Sequence, residues 1–477
     1  MVQASDSHPT ESSGIAGLDH ILGGGLPSGR ITLLRGGPGT GKTVIALSLL
    51  HRALTDGYGA VLVTFDEEPE ALLEHADALA LPLRDGLATG RLKLLDMRPI
   101  LTEAMSGEAF ELTAISQRIE QALASTASRL LAIDAIDVMA GYLGGPAQLR
   151  QQLSTVFDHL RQRDTTTLIT IGQHNDFEQA FGLEDYIADC VIHLQQQLEQ
   201  RVMTRLLRVV KRRGGGHGTN LFPYLIDHQG LFLSPVTGSR LLADPRSDHL
   251  STGIPGLDAM IGGNGPFRGS SVMFSGQSGT GKSTLAASFA HAVCRRGEDV
   301  LYLSFEESEN ELIRNQRSVG VDLGRFTSQP QGQGRLTLEN LLAVEIGREE
   351  HLLRIVRCVQ QHQPALVVLD PVSALTDRQG GLSSNKEMLL RLFYLLKRSG
   401  VTTVATELLS DDGDGVSGLN VSSIIDVWVK LHRRLEDDRL VRRLTVVKGR
   451  GMPTSSAVVE FTLHDHGVEI GAHQKAR

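Results

Sequence analysis

Two hydrophobic rhythms alternate along this chain. Short runs rich in β-branched residues, "ITLLR" from Ile31, "AVLVTF" from Ala60, "LLAID" from Leu130 and "TTLITI" from Thr166, are too uniformly apolar for strands with one wet face. Between them, "KTVIALSLLHRAL" from Lys42 and "STVFDHLRQR" from Ser154 space their apolar residues as helices do. Apolar strands separated by helices predict a mainly parallel sheet with crossover helices on both faces, a three-layer α/β domain.

The same pattern is written twice. "SSGIAGLDHILGGGLPSGRITLLRGGPGTGKT" from Ser12 matches "LSTGIPGLDAMIGGNGPFRGSSVMFSGQSGTGKS" from Leu250 in its Gly-Leu-Asp, its Gly-Gly turn and its closing glycine-rich loop. The offset of 240 that relates Lys42 to Lys282 also carries Asp66-Glu67 onto Glu306-Glu307. Farther on, "LLAID" ending at Asp134 matches "LVVLD" ending at Asp370, and "VVKRRGGGHG" matches "VVKGRGMPTS". The expected organisation is a disordered tail over 1–11, a first domain over 12–243, a second over 244–462 and a short tail over 463–477. The boundary is set by the Pro, Asp and Ser of "LLADPRSDHLSTG".

Composition narrows the class without changing it. A chain of 477 residues is too long for one core, and 41% hydrophobic with 21% charged residues is ordinary for a globular protein. A net charge of -8 argues against a generally basic nucleic-acid or anionic-membrane surface, so neither partner is expected. Cys190, Cys294 and Cys358 lie far apart without metal or disulfide spacing. The N-terminus is polar, and no run of about 18 apolar residues occurs, so a cytoplasmic protein is expected.

Each glycine-rich loop fits GxxxxGK[ST]. Glycines let backbone N–H groups curl around phosphate oxygens, the following helix adds its positive end, and the lysine reaches the terminal phosphates. Gly37, Gly39, Thr40, Gly41, Lys42 and Thr43 form the first candidate ATP loop; Gly279, Thr280, Gly281, Lys282, Ser283 and Thr284 form the second. Thr43 with Asp134, and Ser283 with Asp370, are the candidate Mg²⁺ pairs. Asp66-Glu67 and Glu306-Glu307 each follow the first strand after the loop helix. That puts them at the sheet edge where α/β ligands sit, with carboxylates able to orient a water or hydroxyl. The cations Lys211 and Arg213, and Lys448 and Arg450, lie far along each unit beside glycines. They read either as basic hairpins or as cations that reach a neighbouring subunit's nucleotide.

Two tandem RecA-like units, the "TGxxGLD" opening, the acidic pairs and a "K-x-R-G" loop near each unit's end resemble the KaiC family, the ATPases and autokinases of the bacterial circadian clock. The resemblance runs from about Ser12 to Glu460. It implies a double-ring hexamer with ATP between subunits, hydrolysis in the first ring through Glu67 and Asp66, and phosphoryl transfer in the second through Glu306. By resemblance, Lys211, Arg213, His217, Lys448 and Arg450 are trans contacts to ATP. The matching phosphoacceptors are Ser422 and Ser423, with Ser417 as a further hydroxyl. A KaiB-like partner is expected at "MRPILTEAMSGEAFEL" in the first ring, on position more than identity. Only 17 residues follow Glu460, so the longer tail gripped by a KaiA-like activator is not expected.

The RecA-like fold also serves recombinases and replicative helicases, so a DNA-dependent ATPase stays open at this point. So does a nucleotide-gated scaffold without an essential kinase step.

Overall fold

The computed structural model describes residues 9–100, 112–141, 158, 160–161, 163–172, 187–199, 202–234, 246–328, 332–341, 347–376, 382–409, 421–436 and 439–471. Chain contacts divide it into two units, Met1–Thr237 and Gly238–Arg477.

The first unit opens with β1 (Thr10–Glu11), α1 (Ala16–Ile21), β2 (Leu26–Pro27) and β3 (Ile31–Gly36). It continues with α2 (Lys42–Thr55), β4 (Gly59–Thr64), α3 (Pro69–Ala78), α4 (Leu83–Ala88), β5 (Leu92–Asp96), α5 (Leu112–Thr126), β6 (Ser128–Asp134) and β7 (Thr166–Gly172). A long hairpin of β8 (Cys190–Glu199) and β9 (Val202–Arg212) leads into β10 (Phe222–Asp227) and β11 (Gly230–Leu233). β1 pairs with β2 in a separate two-stranded sheet, and β3 to β11 make one nine-stranded sheet in the order β11-β10-β9-β8-β3-β7-β6-β4-β5. It is parallel from β5 to β8 and antiparallel beyond. As the apolar runs require, β3 and β4 are buried on both faces, and α2 lays Ile45, Ala46, Leu49 and Leu50 against one of them.

The second unit repeats the plan. Its elements are α6 (Pro255–Met260), β12 (Ser271–Gly276), α7 (Lys282–Arg295), β13 (Val300–Ser304), α8 (Glu309–Arg317), β14 (Leu336–Asn340), α9 (Arg348–His362), β15 (Leu366–Asp370), α10 (Leu382–Arg398) and β16 (Thr402–Leu408). The hairpin β17 (Val427–Glu436) and β18 (Arg439–Gly449) then precedes β19 (Val459–His464) and β20 (Gly467–Ile470). The sheet order, β14-β13-β15-β16-β12-β17-β18-β19-β20, mirrors the first.

Two expectations need correction. The segment from 463, expected as a tail, contains β20, whose Ile470 pairs with Phe461 and whose side chain packs where any Cβ on Gly256 would fall. At the other end, Thr10 and Glu11 pair with Pro27 and Leu26, so ordered structure starts inside the segment expected to be a tail. The expected boundary at 243/244 falls in 235–245, outside the described residues. Among the described residues, no helix is long and apolar enough to cross a membrane.

Candidate active sites

Both glycine-rich loops join the central strand of a sheet to a helix. Gly41 has φ of 90° and Gly281 of 100°, a left-handed conformation that suits glycine. A Cβ on Gly41 would also come within 2.3 Å of Ile226 Cδ1. Gly37 has open space where a Cβ would point, and Gly39 and Gly279 also take left-handed φ at the loop apex. Thr40 and Thr280 brace the loops by donating to the Gly37 and Gln277 carbonyls, each at 2.8 Å. Lys42 Nζ donates to the carbonyls of Gly36 and Gly37 at 2.8 and 3.0 Å, and Lys282 Nζ to that of Gln277 at 2.7 Å. The lysines thus occupy the cradle, held by carbonyls. Burial lowers both ammonium pKa values, opposed by Asp137, Asp134 and Asp66 around Lys42 and by Asp370, Glu306 and Glu407 around Lys282.

Sheet register brings the acidic groups to the loops. β4 pairs with β6 so that Thr64 lies opposite Asp134, and β13 with β15 so that Ser304 lies opposite Asp370. The acidic pairs therefore leave the sheet beside those aspartates. Thr43 Oγ1 donates to Asp134 Oδ2 at 3.2 Å, and Ser283 Oγ to Asp370 Oδ1 at 3.1 Å. Thr170 donates to the other Asp134 oxygen at 2.6 Å; Thr406 and Tyr302 both donate to Asp370. Burial raises the Asp134 pKa, against hydrogen bonds from Thr170 and Thr43. A buried carboxylate tied to a hydroxyl at a phosphate loop suits Mg²⁺, which arrives with phosphate and water ligands and needs few from the protein. Among the described residues no group of three His, Cys, Asp or Glu able to hold a metal occurs.

The main chains of Glu67 and Glu307 are pinned alike. Thr64 Oγ1 and Ser304 Oγ donate to their carbonyls at 2.8 and 2.6 Å and accept from their amides. Helices begin just after each pair, α3 with Pro69 in its first turn and α8 with a Ser308–Glu311 capping box. Burial raises both glutamate pKa values; His75 opposes the rise at Glu67, and a hydrogen bond from Asn315 opposes it at Glu307. In the second unit Gly279, Gly281, Lys282, Ser283, Thr284, Glu306, Glu307 and Asp370 line one cavity of about 380 Å³.

The family model described as "ATPase: KaiC" matches twice, over residues 11–237 and 250–475. The chain belongs to the KaiC ATPase family. It is 35% identical to the circadian clock protein KaiC2 of Synechocystis sp., over 96% of this chain and 80% of that protein. It is 28% identical to the circadian clock oscillator protein KaiC of Picosynechococcus sp., over 96% and 88% respectively. A third relative, the circadian clock protein KaiC3 of Synechocystis sp., is 28% identical over 98% and 93%. Nucleotide binding and ATPase activity come with the family.

In this KaiC-family chain the remaining candidate residues stand apart from the loops. β8 runs parallel to β3 from Cys190 beside Thr32, and β9 returns to bring Lys211 opposite Val191, so Lys211 and Arg213 lie at the sheet edge where β3 begins. Lys448 and Arg450 lie likewise where β12 begins. Each hairpin has a β-bulge here, between Val191 and Ile192 and between Trp428 and Val429, with Val210 and Val447 as the extra residues and the lysines still paired with Val191 and Trp428. Lys211 Nζ donates to the Ala188 carbonyl at 2.8 Å, Arg213 lies 3.7 Å from Asp189, and His217 Nδ1 lies 3.1 Å from the Gly218 carbonyl.

Ser422 and Ser423 are exposed in the turn just before β17, at this same edge. Lys448 Nζ donates to the carbonyls of Ser422 and Ile425 at 2.6 and 2.7 Å, and Arg450 to that of Ser423 at 2.7 Å. Asp426 closes the turn by accepting from the Ser271 amide at 3.0 Å and from Lys397. The cations expected to reach a neighbour thus hold their own chain's Ser422-Ser423 turn. Ser417, the counterparts of all three serines in the first unit (Ala180, Asp185, Tyr186) and most of the segment expected to meet a KaiB-like partner lie outside the described residues.

Sequence reading missed the residues that orient the named ones: Thr170 and Thr406 on the aspartates, and His75 and Asn315 on the glutamates. It also missed Arg205 and Arg442, which donate to the Gly39 and Gly279 carbonyls at 3.3 and 3.4 Å. The repeat could have found them, since Thr170 and Thr406 recur at the offset of the aspartates and Arg205 and Arg442 at that of the lysines.

Proposed function

We propose that this chain is an ATPase and serine autokinase working as a head-to-tail hexameric ring, with Ser422 or Ser423 as acceptor, and that it serves as a timing or signalling regulator. The carrying observation is the opposition of two edges of one sheet. Loop, aspartate and acidic pair sit where β3 or β12 ends; cations and the serine turn sit where it begins. The six residues of β12 span roughly 16 Å at about 3.3 Å per residue. That span keeps a serine from its own unit's nucleotide, and a head-to-tail contact brings a neighbour's far edge onto the loop. Heterologous contacts of this kind make closed rings when the rotation closes.

Mg²⁺ entering with ATP would rest against Thr43 and Asp134, or Ser283 and Asp370, and supplies neutralisation of phosphate charge. Lys42 and Lys282 turn from the loop carbonyls to the terminal phosphates. In the first unit Glu67, with Asp66 beside it, accepts a water proton as the water oxygen bonds to the γ-phosphorus and the bond to ADP breaks. In the second, Glu306 accepts the proton of a neighbour's serine in the same exchange. Lys211 and Arg213, or Lys448 and Arg450, stabilise charge on the phosphoryl group across the boundary. A KaiB-like partner at the first unit belongs to the same reading.

Mass photometry with and without Mg-ATP, alongside phosphate release, tests the assembly. A six-copy species that requires nucleotide is expected, and a persistent monomer with full ATPase activity contradicts the reading. Mass analysis of the same samples separates the autokinase from a nucleotide-gated scaffold, which would acquire no phosphate.

A further inference from the structure

His75 and Asn315 occupy equivalent positions, each eight residues beyond the second carboxylate of its acidic pair. His75 Nδ1 lies 3.2 Å from Glu67 Oε2, and Asn315 Nδ2 donates to Glu307 Oε1 at 3.2 Å. With both glutamate main chains pinned by Thr64 and Ser304, the helix residue sets the carboxylate's direction. Two different donors therefore serve one geometric task. They differ in chemistry: an amide donates alike at every pH, whereas an imidazole gains a proton and a positive charge between about pH 5 and 8.

We propose that His75 and Asn315 are positioning residues for Glu67 and Glu307, and that the histidine makes first-unit hydrolysis sensitive to protonation near neutral pH while the second unit is not. This rests on the reading of Glu67 as the group that accepts the water proton. Protonated His75 brings a full positive charge against Glu67 and weakens it as a base, so turnover falls as the medium becomes more acidic. The other charged groups acting on Glu67 are Asp66 and Asp134. Those on elements packed against α3 are engaged elsewhere: Arg84 by Glu70 and Asp77, Asp96 by Arg98, and Lys93 by Ser125; Asp85 is exposed on α4. Arg98 also reaches Glu68 at 3.2 Å. His75 is more than half exposed.

The test is phosphate release from the full chain carrying Glu306→Gln and Glu307→Gln, measured from pH 5.5 to 8.5 with His75, His75→Asn and His75→Ala. With His75, turnover drops roughly three- to tenfold between pH 8 and pH 6. The asparagine variant keeps turnover to within about threefold at pH 8 and loses the acidic drop, while alanine loses roughly tenfold throughout. An acidic drop that persists in His75→Asn, or a His75→Ala profile equal to that of the parent, overturns the proposal. Glu67→Gln is run beside them: if it leaves turnover intact, the reading of Glu67 fails and the positioning role with it. If it abolishes turnover while His75→Asn keeps the drop, the positioning role alone fails.

Discussion

Lys448 Nζ lies 2.6 Å from the Ser422 carbonyl oxygen, so the cation that ends one strand of a hairpin grips the turn that begins the other. Arg450 adds a 2.7 Å bond to the Ser423 carbonyl. Burial and the neighbouring Arg450 hold the Lys448 pKa below the usual lysine range, and Asp426 opposes the shift. The turn that presents both hydroxyls is therefore tied to the residues proposed to meet the neighbouring nucleotide.

Removing that grip should loosen the turn before any ring forms. Charge-assisted hydrogen bonds are worth about 1.5–3 kcal/mol each, so Lys448→Met with Arg450→Met should speed amide exchange over Val421–Asp426 by roughly tenfold or more. Hydrogen–deuterium exchange of the nucleotide-free chain measures it. Unchanged protection would mean that the ties carry no weight.

Asp134 offers a separation of stability from binding. Its folded-state pKa is raised by burial, so the folded unit holds that proton more tightly than the unfolded chain. The associated stability is present at low pH and lost as pH rises through the folded value. Asp134→Asn should therefore stabilise the nucleotide-free first unit and raise its melting temperature. The added melting temperature from Mg-ATP at this unit should disappear. Calorimetry with and without Mg-ATP decides both parts, and a destabilised apo variant would count against the account of burial.

Single-stranded DNA should leave ATP turnover unchanged. The second hairpin is rich in arginine, but Arg442 bonds the loop apex at Gly279, and Arg433 Nη1 stands 2.9 Å from where a Cβ on Gly279 would be. Arg443 pairs with Glu436 at 2.7 Å. Guanidinium groups engaged in this way are less available to neutralise a nucleic-acid backbone. Stimulation that weakens steeply with salt would restore the DNA-dependent reading.

What could be read from the sequence follows from how local each signal is. Apolar runs such as "ITLLR" and left-handed glycines such as Gly41 carry their instructions in neighbouring residues, so the central strands and both loops were legible. β20 was not, because its "GVEI" is a short edge strand with little burial and no repeating apolar signal. Nor was the Lys448 grip, which depends on hairpin register and a bulge between Trp428 and Val429. The resemblance located the cations and serines but not their contact with one another. His75 against Glu67 required knowing how α3 leaves the sheet, which spacing alone does not state.

The central claim, that phosphate passes from one chain's second unit to the next chain's serine, is tested most directly by mixing two defective forms. One carries Lys282→Ala and keeps both serines; the other carries Ser422→Ala with Ser423→Ala and keeps its phosphate loop. After incubation with Mg-ATP, peptide mapping should find phosphate on Ser422 or Ser423 of the first form in the mixture, and on neither form alone. Phosphate on the Lys282→Ala form by itself, or none in the mixture, would contradict transfer between subunits.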